Sequence, residues 1–496
     1  MSSTIPEEAR PLSRLFRPAS IAIIGASKDA TSLSGRPLDI LLQHRYDGRV
    51  YPVNPNRPEV GGLPAWPSIK SVPEAVDLVV VAVRASLVLD VLRDCADAGA
   101  RHAVIFTSGF AEEGAAGRRA EDELAALAHA SGMRILGPNA EGFFNVHDGI
   151  PVSFSPTVDY KRGLTRLQPG NVAVVSQSGG LGFALFNWGQ RVGLGASHVV
   201  TTGNEADLDA LDAAGFLLED ASTDVVALLI EGFRRPEKLG PVARRAAELH
   251  KFLVVAKLGR SGAGSRGAWA HTAHDAGDDS AYQEEFARWG VVQAEDQEDL
   301  LDIAFALSRR SVMRGRRVGI ITSSGGAGVW LADACDVARL LVPELRAETQ
   351  ERLRALMPSY GSPRNPVDVT AQVFGVAGIA PALDLLCQSP EVDAVALVCS
   401  LASPHMLERE DSEIAAVLAR SAKPVVVYSY TSPGDASLDL LGRMGLPWYP
   451  SPRRTARALA TLEAIGRSGQ EAASLRPDMG RGNSDGSDQA RVHHKG

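Results

Sequence analysis

The sequence predicts an α/β protein: a Rossmann-like N-terminal domain followed by two flavodoxin-like parallel α/β domains. Three observations carry this expectation. Short apolar runs alternate with helical segments along most of the 496 residues, as in parallel sheets covered on both faces. Nearly every apolar run empties into a turn of Gly, Ser, Asn or Pro. One such unit recurs, NVAVVSQSGGLG at Asn171–Gly182 and RVGIITSSGGAG at Arg317–Gly328, and the two nearly superimpose.

Ser20–Ile24 reads as a buried strand running into Gly25-Ala26-Ser27, with a helix from about Gly35 to Gln43. This is the opening βα unit of a Rossmann-like domain. Of the full G-x-G-x-x-G pattern only Gly25 is in place. Further strands are predicted over Val50–Asn56, Asp77–Val83, His102–Phe106 and Met133–Leu136, with helices over Leu87–Ala98 and Gly117–Ala130. Their turns include Pro52 and Asn54, Arg84, Ser108, and Pro138 with Asn139. Such turns lie at strand carboxyl ends, where open α/β sheets take ligands. As a set they suit an extended phosphorylated ligand, although an ordinary βα connection would explain any single one.

The Pro/Gly-rich stretch Ser155–Gly170 marks a domain boundary, giving a first domain of 1–154 and a second of 155–308. The second carries a helix over Phe183–Arg191, a strand Val225–Ile230 ending on Glu231-Gly232, a strand Phe252–Ala256, and helices over Asp279–Trp289 and Asp296–Leu307. Between the last strand and these helices lies Gly259–Asp279, GRSGAGSRGAWAHTAHDAGDD. It has no helical or strand period and reads as a long structureless loop, a feature usually functional or disordered. Reactive side chains gather at its far end: His271, Thr272, His274 and Asp275. The basic run Arg309–Arg317 reads as a solvated linker. A third domain, 309–465, has a helix over Val329–Leu340 and strands at Ala394–Cys399 and Pro424–Tyr428. Residues 466–496 are Gly/Ser/Asp/Arg-rich and read as a disordered tail.

The totals exclude several classes of function. A net charge of -8, with 45% hydrophobic and 22% charged residues, argues against a nucleic-acid-binding surface. No apolar run reaches the roughly 20 residues that span a bilayer, and the N-terminus has no secretory-signal core. Four cysteines without C-x-x-C spacing point to a reduced, cytoplasmic setting and to no zinc or disulfide framework.

The repeat points to chemistry. A Ser/Gly turn at a helix N-terminus offers backbone N–H groups, hydroxyls and the positive end of the helix dipole to a phosphate or carboxylate. The two expected anion sites are Ser176, Gln177, Ser178, Gly179 and Gly180, and Thr322, Ser323, Ser324, Gly325 and Gly326. A histidine carrying a phosphoryl group between partners needs such sites, and imidazole is a good nucleophile near neutral pH.

In these motifs the chain resembles the alpha-subunit portion of the NDP-forming acyl-CoA synthetases, which include succinyl-CoA synthetase and ADP-forming acetyl-CoA synthetase. The resemblance spans nearly all of Ser13–Ile465. It rests on SIAIIGAS, VYPVNPN, TSGFAE, LGPNAEG, VSQSGGLG, TGNEADLD, IEGF, KLGRSGAGSRGAWAHTA, TSSGGAG and RNPVDVT in that order. It implies that His271 is phosphorylated, that Glu231 interacts with the phosphohistidine, and that the two Ser/Gly turns are its phosphate sites. Coenzyme A would be held by Gly25, Ser27, Pro52, Asn54, Arg84, Ser108, Pro138 and Asn139. The implied reaction phosphorylates the histidine from a nucleoside triphosphate, activates an acid as its acyl phosphate, and forms a thioester with CoA.

The chain departs from the family in three places. Where many relatives read GPNC, it has Asn139-Ala140-Glu141. The loop reads Ala270-His271-Thr272-Ala273 and then His274-Asp275, with His274 a bystander. No segment is left for an ATP-grasp domain, so ATP or ADP and Mg2+ are expected on a separate beta-type subunit in a hetero-oligomer with no membrane or nucleic-acid partner. Asp368 of RNPVDVT shapes its turn or lines the acyl pocket. Two other readings stand beside the ligase: a CoA- or acyl-CoA-binding regulatory protein without catalysis, and a nicotinamide-dependent oxidoreductase.

Overall fold

The computed structural model describes residues 10–272, 277–371 and 378–474. Its first sheet contains β1 (Ser20–Ile24), β2 (Arg49–Val53), β5 (Leu78–Val81), β6 (His102–Ile105) and β7 (Arg134–Leu136); a small separate pair, β3 (Glu59–Val60) and β4 (Leu63–Pro64), lies between β2 and β5 in sequence. The order is β2-β1-β5-β6-β7, all parallel. Every strand carboxyl end therefore lies on one edge. After β1 the chain passes so close to its neighbour that a Cβ on Gly25, whose φ is +87°, would stand 2.8 Å from the Ala82 carbonyl oxygen. Only glycine suits both constraints.

The second sheet contains β8 (Gly142–Asn145), β9 (Ile150–Ser153), β10 (Pro169–Ser176), β11 (Ala196–Thr201), β12 (Val225–Ile230), β13 (Phe252–Lys257) and β14 (Val292–Ala294), in the order β14-β13-β12-β10-β11-β8-β9. The third contains β15 (Val318–Thr322), β16 (Val367–Asp368), β17 (Ala394–Cys399), β18 (Val425–Ser429) and β19 (Trp448–Tyr449), in the order β16-β15-β17-β18-β19 and all parallel.

The second sheet is the centre of the molecule. Along β12, Val225, Ala227 and Leu229 belong to a core shared with the third sheet. Val226, Leu228 and Ile230 belong to a core shared with the first. Alternation along a strand sends successive side chains to opposite faces, and here both faces are apolar and buried. The second and third units are also joined by Arg454, which donates to both carboxylate oxygens of Asp302 at 2.6 and 2.7 Å.

Four sequence expectations need correction. The hairpin β8–β9, placed in the first domain by the connector at Ser155, pairs antiparallel with β11 and extends the second sheet. The stretch Gly259–Asp279 is not structureless throughout, because Gly262–Thr272 is an α-helix. The basic run Arg309–Arg317 is not merely solvated. Met313 within it is fully buried and Arg317 makes a two-pronged contact with Asp393 at 2.9 and 2.7 Å. Finally, the closing helix runs from Pro452 to Ser474, so the chain is still helical where the composition predicted a tail; residues 475–496 lie outside the described part.

Candidate active site

The two Ser/Gly turns fold alike. In the second sheet, Ser176 Oγ donates to the Ser178 carbonyl at 2.7 Å; in the third, Thr322 Oγ1 donates to the Ser324 carbonyl at 2.7 Å. Each turn then opens a helix, Gly179–Val192 and Gly325–Val337, and neither N-cap serine closes its helix with a side-chain bond. The first-turn N–H groups thus keep their capacity for an anion. A Cβ on Gly180 or on Gly326 would meet nothing within 4 Å, so both turns face open space. The next glycines do the packing: a Cβ on Gly182 would lie 2.9 Å from Ser176 Cβ, and one on Gly328 would lie 2.7 Å from Thr322 Cγ2.

A carboxylate stands beside the first helical glycine in both turns. A Cβ on Gly179 would be 3.1 Å from Glu141 Oε2, and one on Gly325 would be 2.9 Å from Asp368 Oδ2. Asp368 also accepts the Thr370 N–H at 2.9 Å, so it shapes its own turn as well as flanking the helix.

Gln177 and Ser323 hold equivalent places and do different things. Gln177 is buried and its amide is fully engaged. Its Oε1 accepts the Glu231 N–H at 2.6 Å and the Gly232 N–H at 3.3 Å. Its Nε2 donates to the Gly232 carbonyl at 2.6 Å and to Glu205 Oε2 at 3.0 Å. Gln177 is therefore a tie that fixes the Glu231 turn, where sequence reasoning had made it a phosphate ligand. The hydroxyl of Ser323, buried beside Tyr430, makes a 3.4 Å contact with the tyrosine hydroxyl and a 3.5 Å bond to the Val398 carbonyl, its two side-chain contacts among the described residues.

Glu231 is 4% exposed at the carboxyl end of β12. His271 lies in the last turn of the Gly262–Thr272 helix, and His274 and Asp275 fall outside the described residues. Trp269 of that helix lies under the Arg118 guanidinium, 5.7 Å from ring centroid to Cζ. With Ala111, Glu112, Arg119 and Asp122 the pair lines a cavity of about 550 Å³. The helix bearing His271 thus rests against the first domain, beside the segment that follows β6.

The residues expected to hold CoA all lie at the carboxyl edge of the first sheet. Ser27 and the arginine and serine at Arg84 and Ser108 are open to solvent in part or fully, whereas Pro52 and Pro138 are buried. Asn54 ties the edge together, donating to the Ala26 carbonyl at 2.8 Å and accepting the Asn56 N–H at 2.9 Å. Pro138 and Asn139 meet the second sheet: the Pro138 carbonyl accepts the Asn204 N–H at 2.9 Å, and Asn139 Nδ2 donates to Asn204 Oδ1 at 3.3 Å.

Sequence reasoning missed the polar network around Asn204. Its amide donates to Glu112 Oε2 at 2.6 Å and to Glu121 Oε2 at 3.0 Å, and Arg234 pairs with Glu121. Burial opposes ionisation of Glu112, but the Gly109 N–H and the Asn204 amide hold its carboxyl below the usual range. The signal was present in the TSGFAE and TGNEADLD motifs, whose acids and amides have no periodic role. Among the described residues no group of three His, Cys, Asp or Glu side chains could hold a metal ion.

Known proteins share this fold. A CoA binding domain matches residues 19–145, a succinyl-CoA ligase like flavodoxin domain 169–307, and a ligase-CoA domain 318–432. The alpha subunit of acetate–CoA ligase (ADP-forming) II from Pyrococcus furiosus is 34% identical over 91% of this chain and 97% of its own length. Trans-feruloyl-CoA synthase FCS1, from an unknown prokaryotic organism, is 32% identical over 92% of this chain and 65% of its own. The dinucleotide-forming acetyl-coenzyme A synthetase 1 of Ca. Korarchaeum cryptofilum, solved with phosphate and ADP, superimposes with a TM-score of 0.82 at 33% identity, over 94% of this chain and 99% of that one. The chain belongs to the family of ADP-forming acetate–CoA ligase alpha subunits.

Proposed function

We propose that this chain is the alpha-type part of an NDP-forming acid–CoA ligase, with His271 as phosphoryl carrier and Glu231 as its orienting carboxylate. The observation that carries the reading is the pair of matching Ser/Gly turns, one of which is tied through Gln177 to the Glu231 turn. A buried carboxylate beside an imidazole fixes its tautomer and favours its cationic or phosphorylated form. His271 then passes the phosphoryl group to a carboxylate oxygen of the acid, the imidazole nitrogen leaving with the N–P electron pair, and the second-sheet turn holds the resulting acyl phosphate for CoA. CoA would lie along the carboxyl edge of the first sheet, where Gly25 lets the chain pass and Arg84 and Ser108 remain exposed. The domains of this scheme are the CoA-binding, histidine-bearing and ligase units, with boundaries near residues 154, 308 and 465 moved as the hairpin and closing helix require.

The nucleotide and Mg2+ belong, in this reading, to an ATP-grasp subunit of beta type. Support comes from relatives named as alpha subunits. The acid is a small carboxylic acid. Four buried, unpaired cysteines support a cytoplasmic setting, and no helix among the described residues is long and apolar enough to cross a membrane.

The test mixes the chain with its ATP-grasp partner, Mg-ATP, CoA and a panel of carboxylic acids, and follows loss of the free thiol. The parent protein should consume CoA with at least one acid and His271→Ala should not. Full turnover by His271→Ala would overturn the mechanism.

A further inference from the structure

Phosphoryl transfer gives Glu141 no task, yet the fold delivers it to the reaction site. It follows the Pro138–Asn139 turn by two residues, and β8 begins immediately after it and pairs with β11. The chain therefore crosses from the ligand edge of the first sheet to the mouth of the second-sheet turn at this residue. A Cβ on Gly179 would stand 2.8 Å from Glu141 Cβ and 3.1 Å from Oε2. The backbone is held on both sides: the Glu141 N–H donates to Thr201 Oγ1 at 2.9 Å, and its carbonyl accepts Ser153 Oγ at 2.7 Å.

Ser155 and the charge of Arg36 act on the carboxyl group, which is in no ion pair among the described residues. Arg36 spends its terminal nitrogens on the Phe154 and Thr31 carbonyls, at 2.8 and 2.9 Å, and its buried Nε has no partner among the described residues. Burial pushes the Glu141 carboxyl above the usual carboxylate range, against the opposing pull of Ser155 and Arg36. Such a group exchanges a proton nearer neutral pH than an exposed glutamate does.

We propose that Glu141 is the proton relay of the thioester-forming step, an inference that rests on the ligase reading above. The carboxylate takes the proton of the CoA thiol as sulfur attacks the acyl carbon. The C–S bond forms, the bond from the acyl carbon to the phosphate oxygen breaks, and that oxygen leaves with the electron pair. Glu141 then gives the proton to the departing phosphate and returns to carboxylate, so acyl phosphate and CoA thiol become thioester and hydrogen phosphate. Placement explains why one residue can serve both ends: it lies between the CoA edge and the helix N-terminus that cradles the phosphate. A protonated relay also removes the repulsion that a carboxylate would exert on an anion in that cradle.

The experiment uses the full chain with its ATP-grasp partner and compares the parent protein, Glu141→Gln and Glu141→Asp in two half-reactions. The first is acid-labile phosphorylation of the chain from Mg-ATP without CoA. The second is thioester formation from acetyl phosphate and CoA across pH. Glu141→Gln should be phosphorylated to within a few-fold of the parent yet form thioester about 100-fold more slowly at neutral pH. Its rate should climb with pH as free thiolate replaces the missing base, and Glu141→Asp should recover part of the loss. A Glu141→Gln protein with the parent's thioester rate and pH profile would overturn the relay. A parent protein that takes up no phosphoryl label would instead strike the ligase reading beneath it.

Discussion

The second-sheet and third-sheet turns share a backbone and differ in what surrounds it. In the second, the Gln177 N–H donates to the Leu229 carbonyl; in the third, the Ser323 N–H donates to the Val398 carbonyl. The two adjacent strand ends are therefore in the same register. Two residues further on, the second sheet presents Glu231 and the third presents Ser400. The second turn has a buried amide, Gln177, with four hydrogen bonds. In the third, Ser400 shares a 2.9 Å hydroxyl contact with Thr431. In the proposal above, the first of these turns would position an imidazole and the second would hold an anion alone. The two turns thus share a backbone and differ by a buried carboxylate, Glu231, and the amide tie from Gln177 that locks its turn.

The largest contrast should appear in catalysis. Glu231→Gln should lower turnover by about 100-fold or more, the scale of losing a positioned acid–base group. Ser400→Ala, at the matching place, should stay within a few-fold in the same CoA-consumption assay. Equal losses from the two would erase the distinction drawn between the cradles.

Stability should follow the same line. Gln177→Ala strips partners from the buried Gly232 carbonyl and from the Glu231 N–H, and should cost about 3 kcal/mol in chemical denaturation. Ser323→Ala removes two long contacts and should cost less than about 1 kcal/mol. A Gln177→Ala protein as stable as Ser323→Ala would show that the tie does not hold the turn.

The second sheet should also respond to acid through one buried imidazole. His198 on β11 is fully buried, with neither ring nitrogen partnered. Burial lowers its pKa to about 4, with Asp220 and Asp148 pulling upward and Arg17 and His147 downward. The unfolded chain takes up this proton near the ordinary value of 6.5 and the folded chain only near 4. Unfolding therefore binds a proton between those values, and stability falls as pH drops through that window, by a few kcal/mol at most. Urea midpoints measured from pH 7 to pH 4 should show the fall, and His198→Leu should flatten it.

The smallest effect separates packing from binding within one helix turn. Gly180→Ala enters open space and should raise stability by about 0.5–1 kcal/mol through helix propensity, while weakening phosphate protection of the turn. Gly182→Ala meets Ser176 and Thr201 at 2.9 Å and should destabilise by about 1–3 kcal/mol.

Much of this was legible in the sequence, for a physical reason. Parallel strands buried on both faces read as unbroken apolar runs, and β1, β12 and β17 begin and end where the runs do. What escaped depends on long-range contacts. β11 was hidden because it buries Ser197, His198 and Thr201, so it does not look apolar. The hairpin β8–β9 exists because β11 offers it an edge. The Gly262–Thr272 helix holds three glycines and little apolar period; Ala268 is buried, while Trp269 is more than half exposed and meets Arg118. The site divided in the same way. The paired turns could be read from their repeated sequence, and the strand ending on Glu231 from its apolar run, whereas the tying role of Gln177 and the approach of Glu141 to Gly179 arise only when two strands and a crossover meet.

The central claim, that the second-sheet cradle serves a phosphohistidine and the third does not, is tested most directly by labelling. The chain, its ATP-grasp partner and γ-labelled Mg-ATP are mixed without CoA, and label on the chain is measured after acid and after alkali. The account predicts one acid-labile, alkali-stable phosphoryl group per chain, lost in His271→Ala, strongly reduced in Glu231→Gln and unchanged in Ser400→Ala. Label that survives in His271→Ala, or that depends on Ser400 as much as on Glu231, would contradict it.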